Sequence, residues 1–324
     1  MRARWFGLGL IVAAMGLGGC ASKSADDSGG SAGTTQKDKA LVLFSQANSQ
    51  DPWRQVFDAT IQAAAAKESV IEFAMQDAQG DGMKQVGQIE TFLVRRPKVL
   101  LVSPTDESVK PAIDKAMSEG VPVILLDRGV SGDNWTAYVG GDNKEIGRAA
   151  GQFMGEKLGG KGTVLMIRGI ANADPTRDRG DGFMESIRKF PDIQVIEGDD
   201  CGYERAKAQT YMERFLQTGQ GFDAVYAHND EMAIGALRAM QAAGTPKKVI
   251  VGIDACQLEV INLIQQGDLT ATFTYPQPGP KGIELAMELL AGKKPAEKRI
   301  LLPTERITQE NADQFLKDNP NLAK

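Results

Sequence analysis

The stretch FDAVYAHNDEMAIGALRAMQAAG, Phe222 to Gly244, decides the fold. It opens on an apolar run, Ala224 to Ala227, short enough for a buried strand. Three polar residues follow: His228, Asn229 and Asp230. Then Met232, Ala233, Ala236, Leu237 and Met240 recur at helical spacing, and Gly244 supplies a stop. Strand, polar tip and helix make half of a βαβ unit. In an open parallel sheet, ligands are met at the carboxyl ends of the strands. That places Asn229 at a candidate ligand position. Asp230 stands at the same level, but the larger expectation for it is capping of the helix that follows.

The same unit recurs on both sides of this stretch. Upstream, strands are predicted at Ala40 to Phe44, Val70 to Met75, Val99 to Val102 and Val121 to Leu126, with amphipathic helices between them. A weaker strand follows at Ala137 to Gly140. Further strands fall at Thr163 to Ile167, Ile193 to Glu197, Val249 to Ile253 and Ala271 to Thr274. Ile300 to Leu302 reads as the last strand, and a terminal helix is predicted over Gln309 to Lys317. Such alternation predicts α/β architecture with parallel sheets covered on both faces. The weak strand near Tyr138 divides the pattern into two similar halves. Two doubly wound, Rossmann-like parallel-sheet domains are therefore expected, with a ligand in the cleft between them.

Composition narrows the chemistry. The 324 residues carry a net charge of −5, whereas a nucleic-acid binder normally shows a basic patch. A single histidine excludes a histidine-based metal cluster and leaves little room for a Ser-His-Asp triad. No metal and no cofactor are expected. Gly155 to Gly162 comes close to a phosphate-binding loop. It has Gly162 where a magnesium-binding Ser or Thr is needed, and it precedes a strand rather than a helix. Cys201 and Cys256 are expected at the ends of non-neighbouring strands, as separate thiols.

Residues 1–19 read as a leader. Arg2 and Arg4 precede an apolar run, Trp5 to Met15, too short to span a bilayer comfortably. It ends in Leu17-Gly18-Gly19-Cys20, which resembles a bacterial lipobox. That implies cleavage before Cys20, lipidation of its thiol and a membrane-anchored product. Ala21 after the cysteine suggests the outer membrane under enteric-type sorting. From Cys20 to residue 38 the Ser/Gly/Asp-rich composition predicts a flexible tether.

Charged and aromatic residues gather at predicted strand ends and loops. Asp127 and Asp254 directly follow apolar runs, which favours binding over capping. Arg54, Arg128 and Arg177 stand near the same level, whereas Arg179 and Arg188 are expected to be solvated. A guanidinium only donates hydrogen bonds and a carboxylate only accepts them. Together they suit a hydroxyl, which does both. Trp53 and Tyr203 offer flat faces to the C–H side of a sugar ring. Paired carboxylates also serve glycosidases, so an enzyme is a rival reading.

Val123-Ile-Leu-Leu-Asp127-Arg128, Asn229 to Leu237 and Gly252-Ile-Asp254 closely resemble the periplasmic sugar-binding proteins of ABC transporters. The ribose- and galactofuranose-binding members are nearest, and the resemblance runs from Ala40 to Ile307. It implies two lobes joined by three crossovers, here near Gly141, Tyr275 and Leu301. One lobe would comprise 39–141 plus 276–301, the other 142–275 plus 302–324. It also implies that Asp127 and Arg128 bind ring hydroxyls from the first lobe, and Arg177, Asn229 and Asp254 from the second. Trp53 and Tyr203 would be aromatic walls. Arg54 completes the Trp-Arg pair of the galactofuranose type, where the ribose binder has two Phe. Ser103 stands where the ribose binder has a ligand-binding Asn, and Tyr275 where it has Gln. The loop before Trp53 is longer. A hexose, a furanose or a cyclitol such as inositol therefore fits as well as ribose. The implied protein is a monomer that catalyses nothing and delivers a monosaccharide to a membrane permease. A sugar sensor for a chemotaxis or kinase system would share this chemistry. A regulator of the lac-repressor type would need a basic helix-turn-helix before Ala40, where the lipobox and tether stand.

Overall fold

The computed structural model describes residues 39–323 apart from Asn172. The leader, Cys20 and the tether lie outside the described residues.

The first lobe is built from β1 (Ala40–Gln46), α1 (Pro52–Ala66), β2 (Ile71–Asp77), α2 (Gly82–Val94), β3 (Val99–Val102), α3 (Lys110–Ser118), β4 (Val123–Leu126) and β5 (Ala137–Gly141). The second comprises α4 (Asn143–Lys157), β6 (Lys161–Arg168), α5 (Asp174–Ile187), β7 (Asp192–Asp200), α6 (Arg205–Gln217), β8 (Ala224–Ala227), α7 (Asp230–Ala242), β9 (Val249–Asp254), α8 (Leu258–Gln265) and β10 (Ala271–Thr274). The chain then returns to the first lobe with α9 (Gly279–Leu290), packed on α1, and β11 (Arg299–Leu302). It crosses once more into β12 (Arg306–Thr308) and α10 (Ala312–Asp318). The sheets run β11-β5-β4-β3-β1-β2 and β12-β10-β9-β8-β6-β7. All pairings are parallel except that of β10 with β12.

The central strands β3, β4 and β8 are four-residue apolar runs buried along their whole length, because helices cover both faces of the sheet. Helix starts follow from short polar side chains. Asp51 caps α1, with Pro52 in its first turn, and Asp81 and Asp142 cap α2 and α4. The phosphate-loop lookalike is the end of α4 and a turn through Gly159 and Gly160, both at positive φ, into β6.

Several boundaries differ from the sequence reading, most of them by one or two residues. Ile300–Leu302 is not the last strand, since β12 follows it. β12 has three residues, of which only Ile307 is buried, so it carries almost no apolar pattern. β7 continues to Asp200, three residues beyond the predicted end, and α10 begins at Ala312 rather than Gln309.

Candidate functional site

The carboxyl ends of both sheets face one cavity. It is lined from the first lobe by Asp51, Trp53, Arg54, Asp127 and Arg128. From the second come Pro175, Arg179, Tyr203, Asn229 and Asp254, with Tyr275 at a crossing. The volume that water centres can reach is about 40 Å³. At roughly 10–15 Å³ for one water, the space suits a single small ring rather than a chain of them.

Local backbone geometry aims several of these side chains. Asp127 follows β4 at φ 69°, Asp254 ends β9 at φ 131° and Tyr203 lies between β7 and α6 at φ 64°. Left-handed conformations at non-glycine residues are disfavoured and concentrate at ligand sites. Asp127 is held by the neighbouring strand β5, its amide donating to the Val139 carbonyl and its carbonyl accepting from Tyr138 Oη at 2.8 Å.

The charged groups are paired but not saturated. Arg54 and Asp127 are each 3% exposed, and Arg54 Nη2 donates to Asp127 Oδ2 at 2.5 Å. Burial pulls the Arg54 pKa down, but attraction to Asp127 and Asp51 more than offsets it, and the net shift is upward. Arg128 is shifted downward by burial and then by repulsion from Arg54. Its Nη1 donates to the Thr105 carbonyl, while its buried Nε has no hydrogen-bond partner among the described residues. Arg179 Nε donates to Asn143 Oδ1 at 2.9 Å and its Nη1 donates to the His228 carbonyl at 2.5 Å. Asp254 lies 3.9 Å from Arg179 Nη1, and burial raises its carboxyl well above the usual range.

Three guanidiniums and three acidic side chains (Asp51, Asp127 and Asp254) thus line the cavity, a formal charge of zero when Asp254, beside Arg179, is ionised. A charged ligand would leave one buried charge uncompensated. A neutral group that both donates and accepts, such as a hydroxyl, matches the lining.

Most residues singled out in the sequence meet here, namely Trp53, Arg54, Asp127, Arg128, Tyr203, Asn229, Asp254 and Tyr275. Ser103 sits behind them, fully buried, its hydroxyl accepting from Arg54 Nη1 at 3.0 Å. Arg177 does not reach the cavity. It is exposed and pairs with Asp174 at 2.8 Å and Asp178 at 3.0 Å. Arg179, expected to be solvated, takes that place at 3% exposure. Two residues on a helix are about 200° apart, so Arg177 and Arg179 must face opposite ways. The signal was present: Thr176, Arg179, Phe183 and Ile187 form the buried stripe of α5. Gly147 of α4 helps to set this position, because a Cβ there would strike the Arg179 carbonyl oxygen.

Asn229 and Asp230 divide their work differently from the sequence reading. Asn229 caps α7, its Oδ1 accepting from the Met232 amide, and its Nδ2 donates to the Tyr203 carbonyl at 3.2 Å. Asp230 is not the cap. It accepts from Thr272 Oγ1 and from the Ala255 amide, both at 2.7 Å, and so braces the turn that carries Asp254. Asp51 and Pro175 also line the cavity and were not singled out. The Trp53 indole N–H is already engaged, donating to the Tyr275 carbonyl at 2.9 Å. Cys201 and Cys256 are both free thiols.

His228 is fully buried beneath the site, and neither ring nitrogen has a partner among the described residues. Burial, then Arg179 and Arg168, hold its pKa well below the ordinary 6.5. At this residue the unfolded state therefore binds the proton below pH 6.5 and the folded state does not, so the histidine's contribution to stability falls as pH drops through that value. Asp230 and Asp254, with carboxyls raised by burial, act in the opposite sense. The histidine's share is read by difference. Between pH 6.5 and 5, His228→Leu is expected to lose less stability than the parent, by up to about 2 kcal/mol. Urea unfolding at the two pH values checks this, and equal losses in both proteins contradict it.

A two-lobed α/β protein with a charge-balanced cavity between strand tips is built to enclose a small ligand. The chain belongs to the periplasmic binding protein domain family, which matches residues 42–294. It is 35% identical over 235 residues to the ribose import binding protein of Haemophilus influenzae, covering 71% of this chain and 78% of that one. It is 26% identical over 293 residues to the galactofuranose-binding protein of Escherichia coli, covering 87% and 92%. The fructose-binding periplasmic domain of a hybrid two-component system superposes with a TM-score of 0.82 at 33% identity, covering 88% and 95%. Among the described residues, no helix is long and apolar enough to cross a membrane.

Proposed function

We propose that this protein is a lipid-anchored, monomeric receptor that binds one neutral monosaccharide or cyclitol and delivers it to the permease of an ABC transporter. The observation that carries this reading is the cavity itself, where three arginines and three carboxylates cancel in charge around space for a single ring. Each sugar hydroxyl can accept from a guanidinium and donate to a carboxylate, and such charge-assisted hydrogen bonds contribute about 1.5–3 kcal/mol each. Relatives named for ribose and galactofuranose favour a pentose or a furanose ring. The leader over residues 1–19, followed directly by Cys20, supports export and anchoring at the membrane surface. Closure of the lobes over the ring would create the surface that the permease reads.

A sensor role has one observation in its favour, the likeness to a fructose-binding domain of a two-component system. The two readings share a ligand site and differ only in partner. An enzyme reading is weaker, since both Asp127 oxygens are engaged, by Arg54 and by Tyr275.

A thermal-shift screen of neutral pentoses, hexoses and cyclitols tests the reading. A ligand that binds only the folded state raises the melting temperature by mass action, about 2.7 kcal/mol of stabilisation at a hundredfold excess over Kd. At least one neutral sugar should do so. A response confined to charged or apolar compounds contradicts the proposal.

A further inference from the structure

Arg54 and Arg179, which enter the cavity from opposite lobes, are joined along its wall by an unbroken chain of hydrogen bonds. Arg54 Nη2 donates to Asp127 Oδ2 at 2.5 Å, and Tyr275 Oη donates to Asp127 Oδ1 at 2.8 Å. Asn143 Nδ2 donates to Tyr275 Oη at 3.3 Å, and Arg179 Nε donates to Asn143 Oδ1 at 2.9 Å. The sense is consistent along the chain. Arg179 can only donate, so it fixes the amide oxygen of Asn143 toward itself. The amide nitrogen then faces the phenol, and the phenol proton is left for the carboxylate.

All five residues are at most 6% exposed, and hydrogen bonds hold more strongly at such low local dielectric. Their places in the chain matter as much. Asn143 opens α4 just after the first crossing, and Tyr275 follows β10 at the second. The two crossing segments touch, because the Tyr275 ring fills the space where a side chain on Gly141 would stand. On one side the ring meets Trp53, with centroids 5.0 Å apart. On the other it meets the Arg179 guanidinium, 4.7 Å from its centroid.

We propose that Asn143 and Tyr275 form an interlobe latch. It fixes the spacing at which Arg54 and Asp127 of one lobe face Arg179 of the other. Asn143 is a positioning residue, since it is not part of the cavity lining. The proposal rests on the sugar-binding reading only for the identity of the ligand. In a chain where Gln replaces Tyr275, as the resemblance to the ribose binder implies, the phenol link is missing. The latch is thus a property of this chain's own residues.

The test uses the full chain and the variants Tyr275→Phe, Asn143→Ala and the double variant. Hydrogen exchange is read at the amides around Asp127 and Asp254, without ligand and with D-ribose or D-fructose. Each single variant removes two hydrogen bonds of the chain and is expected to speed exchange at these amides about fivefold or more, the net effect of at least one buried hydrogen bond. Leu100 and Leu101 inside the first sheet should stay unchanged. The double variant should exchange no faster than the singles, because all three break the same chain. Where a sugar binds, its dissociation rate should rise by a similar factor. Exchange within twofold of the parent in both single variants overturns the latch. So does a double variant whose change is the product of the two singles. If neither sugar binds the parent, that counts against the sugar reading, while the exchange without ligand still decides the latch.

Discussion

Replacing Arg54 by Met is expected to destabilise the folded protein by about 3–5 kcal/mol, the usual loss when one partner of a buried ion pair is removed. Asp127 is 3% exposed and would keep Tyr275 and an Arg128 contact at 3.8 Å, but among the described residues it would lose the one cation within hydrogen-bond distance. Gln46 Oε1 and Ser103 Oγ would lose a donor in the same step. On a chain of this size the melting temperature should fall by on the order of 10 °C. The reciprocal change restores balance: Arg54→Met with Asp127→Leu should recover part of the loss, since an apolar pair carries no stranded charge. Chemical unfolding of the single and double variants measures both. A single variant that costs under about 1 kcal/mol would mean the pair is solvated rather than buried.

Arg179→Ala is expected to reduce sugar affinity by about a hundredfold or more, whereas Arg177→Ala should leave it within about threefold. The first removes a buried guanidinium from the cavity wall, and with it the nearest cation to Asp254. Loss of two charge-assisted hydrogen bonds to ring hydroxyls accounts for that magnitude. The second removes an exposed group whose partners, Asp174 and Asp178, lie on its own helix. Titration calorimetry of both variants, with circular dichroism to show that each is folded, separates these outcomes. Comparable losses in the two variants would place the ligand outside the described cavity.

The contrast between these two arginines shows what the sequence could and could not reveal. The strand-helix alternation was legible because buried parallel strands must be apolar on both faces, as in Val123–Leu126 and Ala224–Ala227. The strand tips followed from it, so Asp127 and Asp254 could be placed by position alone. Within α5, Arg177 is the residue that the family resemblance favours, although helical phase puts Arg179 on the stripe with Phe183 and Ile187. Tertiary pairs carry no such local signature. Asn143 and Tyr275 are 132 residues apart, and Trp53 and Tyr275 are 222 apart. Trp53 was read as an aromatic wall for a ligand. In the structure it also fastens α1 to the second crossing through its indole N–H. The capping roles at Asn229 and Asp230 were exchanged because a helix start is uncertain by a residue or two, and one residue decides which side chain points at the sheet.

Calorimetric titration of one neutral monosaccharide against its uronic acid counterpart weighs the whole interpretation most directly. A cavity with three guanidiniums matched by three carboxylates should take the neutral sugar with one-to-one stoichiometry and little dependence on salt, and should bind the acid at least tenfold more weakly. Tighter binding of the anionic sugar, weakening steeply as salt is raised, would contradict it.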